Sequence, residues 1–242
     1  MSVLIDILRP APVSSIDEVL SMMTTIDGRL PDLDGLKWFN RLYLRVTQRV
    51  RLAVGSTAFR DPRFMSELDV VFANLYFAAI SAGDVDPARA PSAWRPLLGA
   101  RLSRRNSRLQ FALAGMNAHI NRDLPQGIVN VFETLGGDLT TDQARHADFD
   151  SINDLLERVE GEVKDDFSRG VIGVIDDAAG TVDDVAAMWN VRAARQAAWT
   201  NAQVLWALRS TPFLRDAFFD RLDGLTGLAG KGLLVPRSID AV

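Results

Sequence analysis

Apolar residues recur at three- and four-residue spacing through nearly the whole chain, and nowhere does a β-branched run alternate with polar residues between hairpin turns. A chain patterned this way buries stripes rather than faces, so the expected fold is all-α: a single-domain bundle of about eight helices spanning 1–242. The tails, 1–13 and 236–242, are expected to be flexible.

Boundary residues divide the pattern. Ser14 or Ser15 caps a first helix with Asp17 and Glu18 in its opening turn, which stops near Gly28 and Pro31. A second helix runs from about Asp34 to Val54. Pro62, just behind Asp61, opens a third whose stripe is Phe64, Leu68, Val71, Phe72, Leu75 and Ala79. The Pro- and Asp-rich stretch between Gly83 and Pro96 reads as the longest connection. A fourth helix is expected from about Ser103 to Asp123 or Leu124, where Pro125 must break or kink it. A fifth closes at Gly136-Gly137, a sixth spans Asp142 to Phe167, a seventh is capped by Thr181 and runs to Arg209, and an eighth follows Pro212.

Composition narrows the chemistry. The chain has no cysteine, so disulfides, thiolate metal sites and cysteine nucleophiles are out of reach. A formal net charge of -4 and a pI near 5.2 leave no positive field for nucleic acid or anionic lipid. The one basic run, Arg101 to Arg108, reads as a solvated face. The most apolar run, Val70 to Ala82, contains Asn74, is shorter than the roughly 20 residues of a membrane span, and reads as a buried helix. With no signal-peptide pattern at the amino terminus, a cytoplasmic location is expected. Phosphate-loop, dinucleotide, His-Glu-x-x-His and Gly-x-Ser-x-Gly motifs are all missing.

Both histidines have an aspartate four residues later: His119 with Asp123, and His146 with Asp150. On a helix such pairs share a face, where the carboxylate can orient the imidazole for proton transfer or join it in holding a metal. The first pair follows a run of small and apolar residues, Leu109 to Ala118, so Asn117, His119, Asn121 and Asp123 all need partners inside the fold. Around the sixth helix, His146 and Asp150 lie about 110° from the apolar centre and Asp148 about 60°, which makes Asp148 the better partner for a buried site. On the seventh, Arg192 falls near the face of Met188, Trp199 and Trp206, flanked by Trp189. There it requires a carboxylate, a ring or a bound anion. The tryptophans read as core. Asn153-Asp154-Leu155-Leu156-Glu157 is a partial match to the magnesium motif of class I terpene cyclases, without an aspartate-rich partner motif.

Leu36 to Thr47, Asn117 to Pro125, His146-Ala147-Asp148-Phe149 with Ile152-Asn153-Asp154, and Ala187-Met188-Trp189-Asn190 together resemble a family of actinobacterial proteins of unknown function, from roughly Asp34 to Leu234. The resemblance singles out the Asn-Ala-His-Ile-Asn-x-Asp-Leu octet and an Asp-aromatic-x-x-aliphatic-Asn-Asp segment, and so strengthens Asp148 over Asp150. It implies no reaction.

The functional expectation is an enzyme acting on a small organic molecule at an interhelical pocket. His119 and Asp123 would be catalytic, and Arg192, Asn117, Asn121 and Trp189 would bind substrate. A divalent metal (iron, manganese, magnesium or zinc) would sit on His119, Asp123, Asp148 and Asn153. Two alternatives stay open: a non-catalytic binding or interaction protein in which the same residues form a structural polar network, and a magnesium-dependent terpene-cyclase-like enzyme. Oligomeric state is not legible.

Overall fold

A computed structural model describes residues 3–9, 11–169 and 190–235. It is all-α, with no strand among the described residues. A short helix α1 (Val3–Ile7) leads into α2 (Ile16–Arg29), α3 (Gly35–Val54) and α4 (Pro62–Gly83). Each of the last three starts where its cap directs. The side chains of Ser15, Asp34 and Asp61 accept backbone amides two or three residues on, from Glu18, Leu36 and Phe64. Within the expected tail, Leu4 and Leu8 are buried in the core. The connection after α4 is likewise structured: a 3₁₀ turn (Pro87–Arg89) and α5 (Arg95–Ala100) bring Ala90, Ala93 and Trp94 inside. Arg101, expected on a solvated face, bridges Asp34 at 3.0 Å and Asp84 at 3.1 Å. Burial raises the Asp34 carboxyl pKa, against the pull of Arg101.

The largest departure from expectation is in the middle of the chain. Helix α6 (Arg108–Ala118) begins at Ser107, not Ser103, in a capping box with Gln110. Nor does Pro125 end it. Residues His119–Asp123 form a π turn closed by the Leu124 amide on the His119 carbonyl, and α7 (Leu124–Leu135) continues directly with Pro125 in its first turn. In the wider turn the helix continues past a residue that has no amide to give. Gly136 and Gly137, both at positive φ, then close α7. Next come α8 (Gln143–Arg169), α9 (Val191–Ala207) and α10 (Pro212–Leu233). Asn190 caps α9 by accepting from the Ala193 amide. The expected Thr181 cap, Met188, Trp189 and the 236–242 tail lie outside the described residues.

Two hydrophobic clusters meet at the π turn. One gathers α1 to α6 around Phe39, Tyr76, Phe77 and Trp94; the other gathers α7, α8 and α9 with the start of α4 around Phe64, Phe132, Phe149 and Trp199. Helices α3 and α6 run parallel and exchange rings for glycines: Phe111 fills the space over Gly35, and Phe39 the space over Gly115. Helices α3 and α4 run antiparallel, with Asn40 facing Tyr76 and Tyr43 facing Phe72. Helix α4 is the one described helix long and apolar enough to cross a membrane by length and composition. Of its most apolar window, 56% is buried inside the fold.

Candidate functional site

The π turn carries a polar core within the aromatic one. A turn closed over five residues brings i and i+4 nearly into eclipse, and His119 Nδ1 lies 3.0 Å from Asp123 Oδ2. The same oxygen accepts Trp94 Nε1 at 3.0 Å, and the other accepts an Arg122 nitrogen at 2.6 Å. Asp123 is completely buried and His119 is 2% exposed. With a guanidinium on one oxygen and an indole on the other, Asp123 is an acceptor. The hydrogen-bond network therefore assigns the imidazole proton to Nδ1 and leaves a lone pair on Nε2.

Rings close around the imidazole. Phe72 stacks on it at 3.4 Å and 4°, Tyr43 packs edge-on at 4.6 Å, and Phe39, Tyr76 and Trp94 stand within 6.0 Å. This burial lowers the His119 pKa and outweighs the Asp123 contact that raises it, so the ring is neutral at pH 7. Its Nε2 is buried and has no hydrogen-bond partner among the described residues.

Behind the pair the network closes on itself. Arg122 lies 3.3 Å from Asp223 of α10 and over the Phe219 ring. Asp223 accepts the Ser92 and Ala93 amides at 2.7 and 3.0 Å, and the next residue is Trp94, which returns to Asp123. The asparagines tie the same helices together: Asn117 donates to the Thr226 carbonyl of α10, and Asn121 donates to Asn117 Oδ1. Their donors thus go to the fold rather than toward a substrate.

The remaining expected site residues lie elsewhere. Asp148 accepts the Arg60 and Asp61 amides at 2.9 and 2.6 Å, which fixes the entry to α4. Asn153 accepts from Arg195, the arginine that α9 buries. Arg195 also donates to the Phe149 carbonyl at 2.6 Å and lies over the Phe149 ring; burial lowers its pKa to about 9. Arg192, expected on the buried face, is exposed and pairs with Asp154 at 3.2 Å, because α9 turns Arg195, Ala198, Trp199, Ala202 and Trp206 inward. Trp189 is outside the described residues. His146 is half exposed, stacked on Trp199 at 4.5 Å and 3.6 Å from Asp150. His119, Asp123, Asp148 and Asn153 are therefore not brought together as a metal cage. No group of three or more His, Asp or Glu side chains among the described residues is placed to hold a metal ion.

Three residues near the pair were missed by sequence reasoning. Tyr43, Thr47 and Asp69 are buried, and Tyr43 Oη, Thr47 Oγ1 and Asp69 Oδ2 have no well-formed hydrogen bond among the described residues. Their signal was one polar residue each within an otherwise apolar helix face.

These features define an all-helical protein with a histidine–aspartate pair sealed into a π turn where its two cores meet. Residues 16–236 match the family of unknown function DUF5995, and the chain belongs to that family. No curated protein and no solved structure matches it.

Proposed function

We propose that the protein is a small-molecule enzyme in which His119, oriented by Asp123, acts as the acid–base group. The carrying observation is that His119 is bonded to a carboxylate through Nδ1 while its buried Nε2 has no partner among the described residues. A neutral imidazole held in one tautomer, with its free nitrogen screened from water, is the arrangement proton transfer requires. Asp123 and, through it, Trp94 and Arg122 are positioning residues, and Asp223 anchors them. The proposal is one of proton transfer and routes no step through a metal, since Asp148 and Asn153 are committed to Arg60, Asp61 and Arg195.

Chemical modification tests it. In a His146→Gln background, diethyl pyrocarbonate should acylate His119 Nε2 in the folded protein, more slowly than it acylates the half-exposed His146 of the wild type. If His119 reacts only once the protein is unfolded, the enzyme reading is wrong. One observation favours a second reading, a purely structural network: both Asp123 oxygens are filled and Phe72 covers the imidazole face. Failure of the modification would leave that reading standing.

A further inference from the structure

Between α3 and α4, facing residues stack in layers. Asn40 and Tyr76 form the first, joined at 3.3 Å and fully satisfied, since Asn40 also donates to the Met23 carbonyl. Tyr43 and Phe72, with the His119 ring, form the second. One turn further along the same antiparallel register, Thr47 stands opposite Asp69. The Tyr43 phenol is within the influence of both: the Asp69 charge helps raise its pKa, after burial itself, and the Thr47 hydroxyl approaches closely enough to ease that rise.

Four polar atoms in these last two layers have no well-formed hydrogen bond among the described residues: Tyr43 Oη, Thr47 Oγ1, Asp69 Oδ2 and His119 Nε2, the two hydroxyls sharing at most a weak one with each other. All four residues are more than nine-tenths buried. Polar atoms so placed require a partner that the described residues do not supply. All four can accept a hydrogen bond, and one belongs to a carboxyl group. Among the described residues no positive side chain answers that carboxyl. Its pKa is raised by burial alone, and Arg122, the guanidinium nearest the pair, is spent on Asp123 and Asp223. With Asp69 ionised, only the two hydroxyl oxygens could donate to an anion, and two carboxylates border the Tyr43 phenol.

The geometry points to a binding site for a small primary ammonium group, with Asp69 as counter-ion and Tyr43, Thr47 and His119 Nε2 as acceptors. An –NH₃⁺ group brings three donors and one positive charge, which complements four acceptor atoms beside aromatic rings, one of them a carboxyl oxygen. The inference rests on the reading of His119 as the working group, and it names an amine as the class of molecule that group meets.

The chain has two tyrosines and two histidines, so labelling tyrosine with ¹³C at the ζ carbon and histidine with ¹⁵N gives spectra that single substitutions assign. Butylammonium chloride is the probe, with acetamide and sodium acetate at equal ionic strength as the neutral and anionic controls. Butylammonium should shift the Tyr43 and His119 resonances saturably, leave His146 unmoved, and raise the melting temperature. Asp69→Asn should weaken its binding by at least about tenfold. Should that variant unfold, the wild type alone decides. Between pH 6.5 and 8.5 the probe stays protonated, burial holds the His119 pKa below its ordinary value, and the Asp69 carboxyl, with a pKa of about 7, ionises. Binding should tighten about fourfold across that range. The titratable group beside the carboxyl is Tyr43 from α3, and burial raises its pKa well above the ordinary phenol value, so it keeps its proton through the window. The inference is overturned if butylammonium leaves both resonances in place, if acetamide or acetate moves them equally, or if affinity is flat in pH. Acylation of His119 by diethyl pyrocarbonate together with no butylammonium binding would remove the amine and keep the acid–base reading.

Discussion

Replacing Asp69 with asparagine separates the charge of one buried carboxyl from everything else that titrates. Burial alone raises its pKa from 3.8 to about 7. An acid with a raised folded pKa holds its proton more tightly in the fold than in the unfolded chain. Its stabilisation is fully present below the unfolded pKa and is lost as pH rises through the folded one. At pH 5 the folded carboxyl is still protonated, about two pH units below its pKa, while the unfolded one has already ionised. At pH 8.5 both are ionised. The wild type should therefore lose about 2–3 kcal/mol between those pH values through Asp69 alone. The amide that replaces the carboxyl in the variant does not titrate and has nothing to lose there. Urea unfolding of both proteins at pH 5 and pH 8.5 gives the double difference, in which His119 and every other group common to the two chains cancel. A double difference below about 0.5 kcal/mol would mean that Asp69 finds a proton-independent partner and would refute the picture of an unanswered carboxyl.

Other substitutions probe neighbouring parts of the fold. Trp94→Phe keeps the ring in the core but removes a donor from Asp123, and should cost about 1–3 kcal/mol in chemical denaturation. It should also move the His119 Nδ1 proton resonance. Gly227 lies against backbone, where an added Cβ would come within 2.6 Å of the Ser92 carbonyl oxygen. Gly227→Ala should therefore destabilise by about 1–3 kcal/mol and speed exchange of the Ser92 and Ala93 amides, whereas Gly224→Ala, which meets nothing, should not. Asn153→Leu removes an acceptor from buried Arg195 and should cost about 3 kcal/mol. A double change that adds Arg195→Met should recover part of that loss in the same assay.

Local signals carried the early helices. Ser15, Asp34 and the Asp61-Pro62 pair are caps whose action depends on amides two or three residues away, so their positions could be read from spacing alone. Ser103 and Ser107 were equally good caps by that standard, and Gln110, which reaches back to Ser107, was the discriminating residue. Pro125 misled because the rule that proline ends a helix assumes four-residue bonding, and the π turn suspends that assumption just where the proline falls. The i, i+4 closeness of His119 and Asp123 was legible for the same reason as the caps. Their other partners were not, because Trp94 is 29 residues from Asp123 in sequence and Asn153 is 42 from Arg195. The choice of Arg192 came from phasing α9 on residues before Val191. Taken from Ala198, Trp199, Ala202 and Trp206, the same three- and four-residue spacing reaches Arg195. Thr47 and Asp69 gave the weakest signal, since a lone polar residue on an apolar helix gains meaning only from what the opposite helix sets against it.

The circuit from Asp123 through Arg122, Asp223 and the Ser92 and Ala93 amides back to Trp94 has no free end. Displacing any one member strains two charged contacts at once, so the α5 and α10 side of the imidazole is its fixed doorpost. On its other side Phe72 and Tyr43 cover the imidazole with ring contacts alone, which makes that the side a molecule entering toward His119 would displace at least cost. Bulk added at Phe72 should therefore slow entry without disturbing the hydrogen bonds that set the tautomer.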